Sequence, residues 1–455
     1  MTTPTRPSRG VSRRAVLAGL AAVPAVAIDR AAAQTGSQGV GGPFGTADKP
    51  IQIRMLANSA FSAQWQQLMV PEFNKRFPHV KVQIDGVPYT EQLAKIMLDI
   101  TGATPTYDLY AIDDPWVPQV AETKQLLELK KEAAAWTSAD YDWADFNAAP
   151  LAASEWKGGQ FGVPLRCNML LRFYNKTHYA KAGLPEPDPA HTWLEFRAQA
   201  PKLVQDVKGT GGVNAWAIST YFTRDPLTPT IWQAILNSYG TDLIDAQGKP
   251  AFNNENGIRA LQTHIDLLQW APPGAKAHGF TESLQAFRQG QVANMFQWGS
   301  VFRGTAVDPA TTTLKPDEVG IMVMPVGSNR PGTHRGIWNG SVSKKSANQQ
   351  AAWALLQWLS SKEGEFWHAS VVGAFPARKS TLARPPAEAW QAPVFKTLQN
   401  AYEVAAAGRM WRPRSAKSDQ AQTILADETA RAFNNEVKVA EALASAARKI
   451  ERLRL

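Results

Sequence analysis

Apolar and polar residues alternate with a period of two in "IQIRMLA" (51–57), "VKVQIDGV" (80–87) and "YDLYAID" (107–113). That period predicts three strands. Between them the spacing becomes helical. Trp65, Leu68, Met69, Phe73 and Phe77 share one face of a helix that Pro71 should kink. "YTEQLAKIMLDITGA" (89–103) predicts a second helix. The alternation resumes further on. "HTWLEFRAQAPKLVQ" opens with Thr192 and Glu195 spaced as a capping box, which starts a helix. "NAWAIST" (214–220) predicts a strand, and 420–455 is mainly helical. Strand and helix in turn predict an α/β fold, a sheet covered by helices. There is no internal repeat.

The first 33 residues follow a different pattern. Arg6, Arg9, Arg13 and Arg14 precede an uncharged Ala-rich run of 14 residues, Ala15–Ile28, and then Ala31-Ala32-Ala33. This predicts a signal peptide (1–33) cleaved near Ala33, with a flexible Gly-rich leader (34–47) behind it. Arg13-Arg14 after Ser12 resembles a twin-arginine export signal, although an ordinary secretory signal remains an alternative. Either route ends outside the cytoplasm. The apolar run is shorter than the roughly 20 residues of a membrane span.

Composition narrows the chemistry. The chain of 455 residues carries +9, of which +4 lies in 1–33, with no basic block. That argues against nucleic acid as a partner. The single cysteine, Cys167, allows no internal disulfide or cysteine zinc site, and the histidines never fall at i, i+4. No metal and no cofactor are therefore expected. Hydrolase, Walker-type phosphate-loop and metalloprotease motifs are absent. Sixteen tryptophans stand out; most should pack in the core, but such a surplus suits a protein that holds sugars, whose C–H faces lie on aromatic rings.

Several segments occur in a telling order: "FNKRFPHVKV", "YDLYAIDDPWVPQVAETKQLLEL", "WKGGQFGVP", "LLRFYNKTHYAKAGLPEPDPAHTWLEF", "AFRQGQVANMFQWGS", "VGIMVMPVG", "QQAAWALLQWLSSKEGEFWHASVVGAFPARKS" and "WRPRSAKSDQAQTIL". Together they resemble the sugar-taking branch of the extracellular solute-binding proteins of ABC importers. The resemblance implies two α/β lobes of the periplasmic binding protein type II, joined by three crossings and closing by a hinge on a ligand between them. The crossings are expected near Pro164–Asn168, Met324–Gly327 and Val371–Pro376. Lobe one is then 48–165 plus 325–372, and lobe two 166–324 plus 373–455. The implied partners are a carbohydrate (a mono- or oligosaccharide or sugar alcohol) and the ABC permease, and a monomer is expected.

Ligands of α/β sheets sit beyond strand ends, which supplies candidates. Asn58 and Ser59 end the first strand, and read equally well as helix caps. Asp113, Asp114 and Trp116 end the third, with Tyr89 before a helix. As adjacent carboxylates on a strand, Asp113 and Asp114 should face opposite ways unless a turn intervenes. Trp298 and Gly299 in "FQWGS", and Trp338 and Asn339 in "HRGIWNGSV", are placed at the cleft by the resemblance, although Val301 stands where the family has an aromatic. Trp232, Trp411 and Arg412 are further candidates, as are Arg166 and Asn168 beside Cys167. Trp353, Trp358 and Trp367 read as core. Arg166, Arg335 and Arg412 leave open an anionic ligand such as an acidic sugar or sugar phosphate. A secreted carbohydrate-active enzyme is the alternative of a different class.

Overall fold

The computed structural model describes residues 44–328, 330–371, 373–406 and 412–455. The expected signal peptide, most of the leader, and Trp411 lie outside the described residues. The main strands are β1 (Ile51–Asn58), β2 (Val80–Val87), β3 (Leu109–Asp113), β4 (Val163–Asn175), β5 (Trp216–Ser219), β6 (Val292–Trp298), β7 (Val319–Met322) and β8 (Arg335–Val342). They form one mixed sheet in the order β2-β1-β3-β8-β4-β6-β5, with β7 also on β4. β1 pairs in parallel with β2 and β3, and β5 with β6. β8 runs antiparallel to both β3 and β4.

Met169–Tyr174 reads in the sequence as the opening strand of lobe two; the structure joins it to the expected crossing at 164–168 as one continuous strand. The first half of β4, Val163–Met169, pairs with β8, while its second half, Leu170–Tyr174, pairs with β6. Trp338 lies opposite Arg166 but Asn339 lies opposite Pro164, so Leu165 is the extra residue of a bulge. Bulges bend a strand and re-aim its neighbours. Cys167 also bonds through its N–H to the Phe375 carbonyl at 3.3 Å.

Helices cover both faces: α1 (Tyr89–Thr101), α2 (Trp193–Leu203), α3 (Thr228–Ser238), α4 (Phe280–Arg288), α5 (Gln349–Leu359), α6 (Lys362–Val371), α7 (Gln391–Ala406), α8 (Ser418–Phe433) and α9 (Val439–Leu453). The capping box forms at α2: Thr192 Oγ1 accepts from the Glu195 N–H at 3.1 Å, and Glu195 accepts from the Thr192 N–H at 2.7 Å. The helix around Pro71 widens rather than simply kinking. Trp65–Met69 winds as a π-turn, with the Val70 N–H reaching back to the Trp65 carbonyl. One wide turn before the proline adjusts the carbonyl register where proline offers no N–H.

Period-two alternation sends neighbouring side chains to opposite faces. Met55, Ala57, Leu109, Ala111, Leu171 and Phe173 pack with Trp353 and Leu356 of α5 and Leu398 of α7. Leu56, Tyr110 and Ile112 pack on the other face with Ile96, Trp116 and Val120. Leu170, Ile218 and Phe296 join α3, α8 and α9 through Ile235, Leu425 and Leu443. Trp353 and Trp358 are buried and Trp367 packs against the same core, as the pattern predicts.

Candidate functional site

The site begins as a row across three strands. Trp338 on β8 lies directly opposite Asp113 on β3 and Arg166 on β4. Directly opposed residues project from the same face of a sheet, so these three emerge side by side. Two residues along, Gly336 lies opposite Asn168. A Cβ at Gly336 would stand 2.8 Å from the Trp298 ring. The missing side chain is what lets that indole lie against the strand.

These residues line a cavity of about 520 Å³ together with Asn58, Tyr89 and Arg412. Phe61, Phe280, Ser300, Arg288, Arg303 and Asp308 complete much of its wall. Asn168 Oδ1 accepts from the Ser300 N–H at 3.0 Å, tying β4 to the turn after β6. Trp338 is held from behind: its ring is 5.1 Å from Phe61 and 5.8 Å from Trp116.

One wall is a buried ion network. Arg412 donates to both oxygens of Asp113, at 2.7 and 2.9 Å, and to Asp114 at 2.7 Å. It also donates to Tyr89 Oη at 3.0 Å, which in turn donates to Asp113 at 2.9 Å. Arg335 stands 3.6 Å from the far side of Asp114. Burial, with the neighbouring Asp114 charge, outweighs Arg412 and lifts Asp113 to about 6. Burial also works against the Asp114 carboxylate, but Arg412 and Arg335 hold it below the ordinary value. A turn does intervene after Asp113, because Asp114 opens a short 3-10 turn. Both carboxylates therefore meet one guanidinium instead of facing apart. With their oxygens so engaged, they are poorly placed to flank a scissile bond.

Eight of the candidates thus line one cavity: Asn58, Tyr89, Asp113, Arg166, Asn168, Trp298, Trp338 and Arg412. The other candidates among the described residues sit elsewhere. Trp232 is fully buried in α3 against Phe252, 5.3 Å away, and is a core residue. Every residue of α3 is buried, so the tryptophan has no open face. Trp116 packs under Tyr89, with ring centres 4.8 Å apart and tilted by 32°, and supports the wall rather than forming it. Asn339 points into the sheet, donating to the Ile337 carbonyl at 3.1 Å. Gly299 gives its space to the Phe375 ring, which would overlap any Cβ placed there. Asp114 lies behind Asp113, and Ser59 is an exposed turn residue whose N–H bonds the Val87 carbonyl. Asn58 lines the cavity, and its Oδ1 accepts from the Ala60 N–H at 2.9 Å. That bond closes a local turn and is not the expected helix cap, because the helix begins at Ser62 with Phe61 before it and no side-chain cap.

Sequence motifs do not single out Phe61, Phe280, Arg288, Ser300 or Arg303. Of these, Ser300 lies within "FQWGS", the one signal that points to it. The others sit in or beside helical stretches, where periodicity marks only an apolar face. Cys167 is buried, and burial pushes its thiol well above the ordinary value, which disfavours the thiolate a nucleophile needs. Among the described residues no cluster of His, Cys, Asp or Glu could hold a metal ion.

Comparison with known proteins agrees with this architecture. A probable amino-acid ABC transporter periplasmic-binding protein of Sinorhizobium fredii is 26% identical over 384 residues, covering 82% of this chain and 83% of that one. The mannitol-binding protein of Pseudomonas aeruginosa is 25% identical over 230 residues, about half of each chain (49% and 50%). A solute-binding protein of Agrobacterium radiobacter K84, solved with ribitol, superposes with a TM-score of 0.76 at 24% identity, covering 90% of this chain and 100% of that one. The model of the bacterial extracellular solute-binding proteins matches residues 58–366, and the chain belongs to that family.

Proposed function

We propose that this protein is the exported ligand-capturing component of an ABC importer for a sugar or sugar alcohol. One observation carries the ligand class: Trp298 and Trp338 line a single cavity together with the polar groups of Asn168, Asp113 and Arg166. Flat aromatic faces with a few fixed polar groups suit a molecule with C–H faces and hydroxyl edges. The mannitol-binding relative and the ribitol-bound neighbour support the same class. Micromolar affinity requires about 8 kcal/mol. Two or three charge-assisted hydrogen bonds at about 1.5–3 kcal/mol each, with a stacked ring or two, suffice after ordering costs.

In this reading 48–165 plus 325–372 and 166–324 plus 373–455 move as two lobes about the crossings. The closed, liganded form is what the permease recognises. Residues 1–33 direct export, with cleavage near Ala33, and the mature chain acts as a monomer. The ligand leaves chemically unchanged.

A thermal-shift screen over sugars, polyols, uronic acids and amino acids tests this. A ligand present at 100 times its Kd adds about 2.7 kcal/mol of stability, so a true ligand moves the melting point by several degrees. Hits confined to amino acids, or any turnover product from a glycan, would overturn the proposal.

A further inference from the structure

Arg166 and Arg412 line the same cavity but differ in their surroundings. Arg412 is fully neutralised: Asp113 and Asp114 pair with it at 2.7 Å, and they hold it well above its ordinary value although burial opposes this. Arg166 has no such partner. Its guanidinium donates to Ser300 Oγ at 3.3 Å and lies 5.5 Å from the centre of the Phe61 ring. Among the described residues no carboxylate pairs with it. Burial, unopposed, pulls it down to about 10.

The far wall repeats the imbalance. Arg288 and Arg303 face the cavity with Asp308 as their acid, and the Arg303–Asp308 separation is a loose 3.9 Å. Burial also draws Arg288 down, and its Nε has no hydrogen-bond partner. The lining therefore holds four arginines against two aspartates, one of them committed to Arg412. A partly buried cation without a counter-charge is costly, and the cost falls when an anion arrives. A neutral sugar leaves Arg166 uncompensated, whereas a carboxylate or phosphate meets the planar fork directly.

We propose that the ligand is a polyhydroxylated molecule bearing an anionic group, a carboxylate or a phosphate, which seats on the Arg166 guanidinium beside Ser300 while Trp298 and Trp338 hold the hydroxylated body. This rests on the reading of the cleft as a carbohydrate site and narrows it. Arg166 is then the specificity-determining residue.

Calorimetric titration with matched neutral and acidic ligands tests it. The series are D-glucose, D-glucuronate and D-glucose 6-phosphate, and D-mannitol, D-mannonate and D-mannitol 1-phosphate. The two acidic arms distinguish carboxylate from phosphate. At least one acidic member should bind tenfold or more tighter than its neutral counterpart and weaken as salt is raised. Arg166→Gln should remove that advantage, weakening the acidic member at least tenfold more than its neutral counterpart, and Arg166→Lys should restore part of it. Ligand-free Arg166→Gln should melt no lower than the parent, which separates a recognition role from a structural one. If the neutral members bind as tightly as the acidic ones, the inference fails and the carbohydrate reading stands. If an acidic preference survives in Arg166→Gln, the assignment to Arg166 fails. If nothing in either series binds, the carbohydrate reading itself fails and takes the inference with it.

Discussion

Gly336 shows how one absent side chain shapes the cleft. Its backbone runs against the Trp298 indole at a separation that a Cβ would reduce to 2.8 Å. Real Cβ atoms do not sit that close to a ring, so any larger residue must push the indole into the cavity or move the strand. Overpacking of this kind typically costs about 1–3 kcal/mol. Gly336→Ala should lower ligand affinity tenfold or more while lowering the melting point by only a few degrees. Titration and a thermal melt on the same sample check both numbers. Unchanged affinity would mean that Trp298 does not touch the ligand. Trp232 is the instructive opposite: equally aromatic, but fully buried, with Phe252 against its ring and its N–H turned to the Gly257 carbonyl. Tryptophan chemistry alone does not distinguish a platform from a core residue; a place on the cavity wall, which Trp298 has and Trp232 lacks, does.

At the scale of elements, α6 carries a pH-sensitive joint. Glu365 is buried and accepts from the N–H groups of Ala377 at 2.6 Å and Arg378 at 3.0 Å. Burial lifts its carboxyl from 4.5 to about 7. A raised carboxyl pKa favours the protonated form in the fold. Its stabilising contribution is complete below about pH 4.5 and is lost as the pH rises through about 7. Glu365→Gln should therefore flatten the fall in melting temperature between those two values, measured against the parent across the same buffers. A parallel fall in both proteins would assign the pH dependence elsewhere. Elements with local signals are legible in the amino-acid sequence alone: β1 and β2 by their alternation, α2 by its capping box. β4 is legible only in its second half. The pairing that makes its first half a strand comes from β8, more than 160 residues away, and the Leu165 bulge breaks the period that would reveal it. The same limit explains the site. Trp298 and Trp338 announce themselves by residue type, whereas Phe61, Arg288 and Arg303 acquire meaning only when distant segments meet around one cavity. Arg412 is legible as a candidate, but not its buried pairing with Asp113 and Asp114.

For the whole molecule, the shared strand matters most. The thirteen-residue strand β4 is shared between partners, β8 along Val163–Met169 and β6 along Leu170–Tyr174. The large apolar cluster likewise draws side chains from both stretches of the sheet, Leu165 and Phe173 among them. Neither part of the sheet can dissolve without removing a strand from the other. Equilibrium unfolding in denaturant should then give coincident transitions by tryptophan fluorescence and circular dichroism. A plateau between two separated transitions would contradict this. The arrangement also bears on resistance to proteolysis. A protease acts on segments that open, and here opening one part sacrifices the other, so partial trimming to a stable half is not an available fate. Limited proteolysis should then give intact chain and small peptides with no stable half between them, and a ligand bound in the cavity should protect β5 along with the cavity wall.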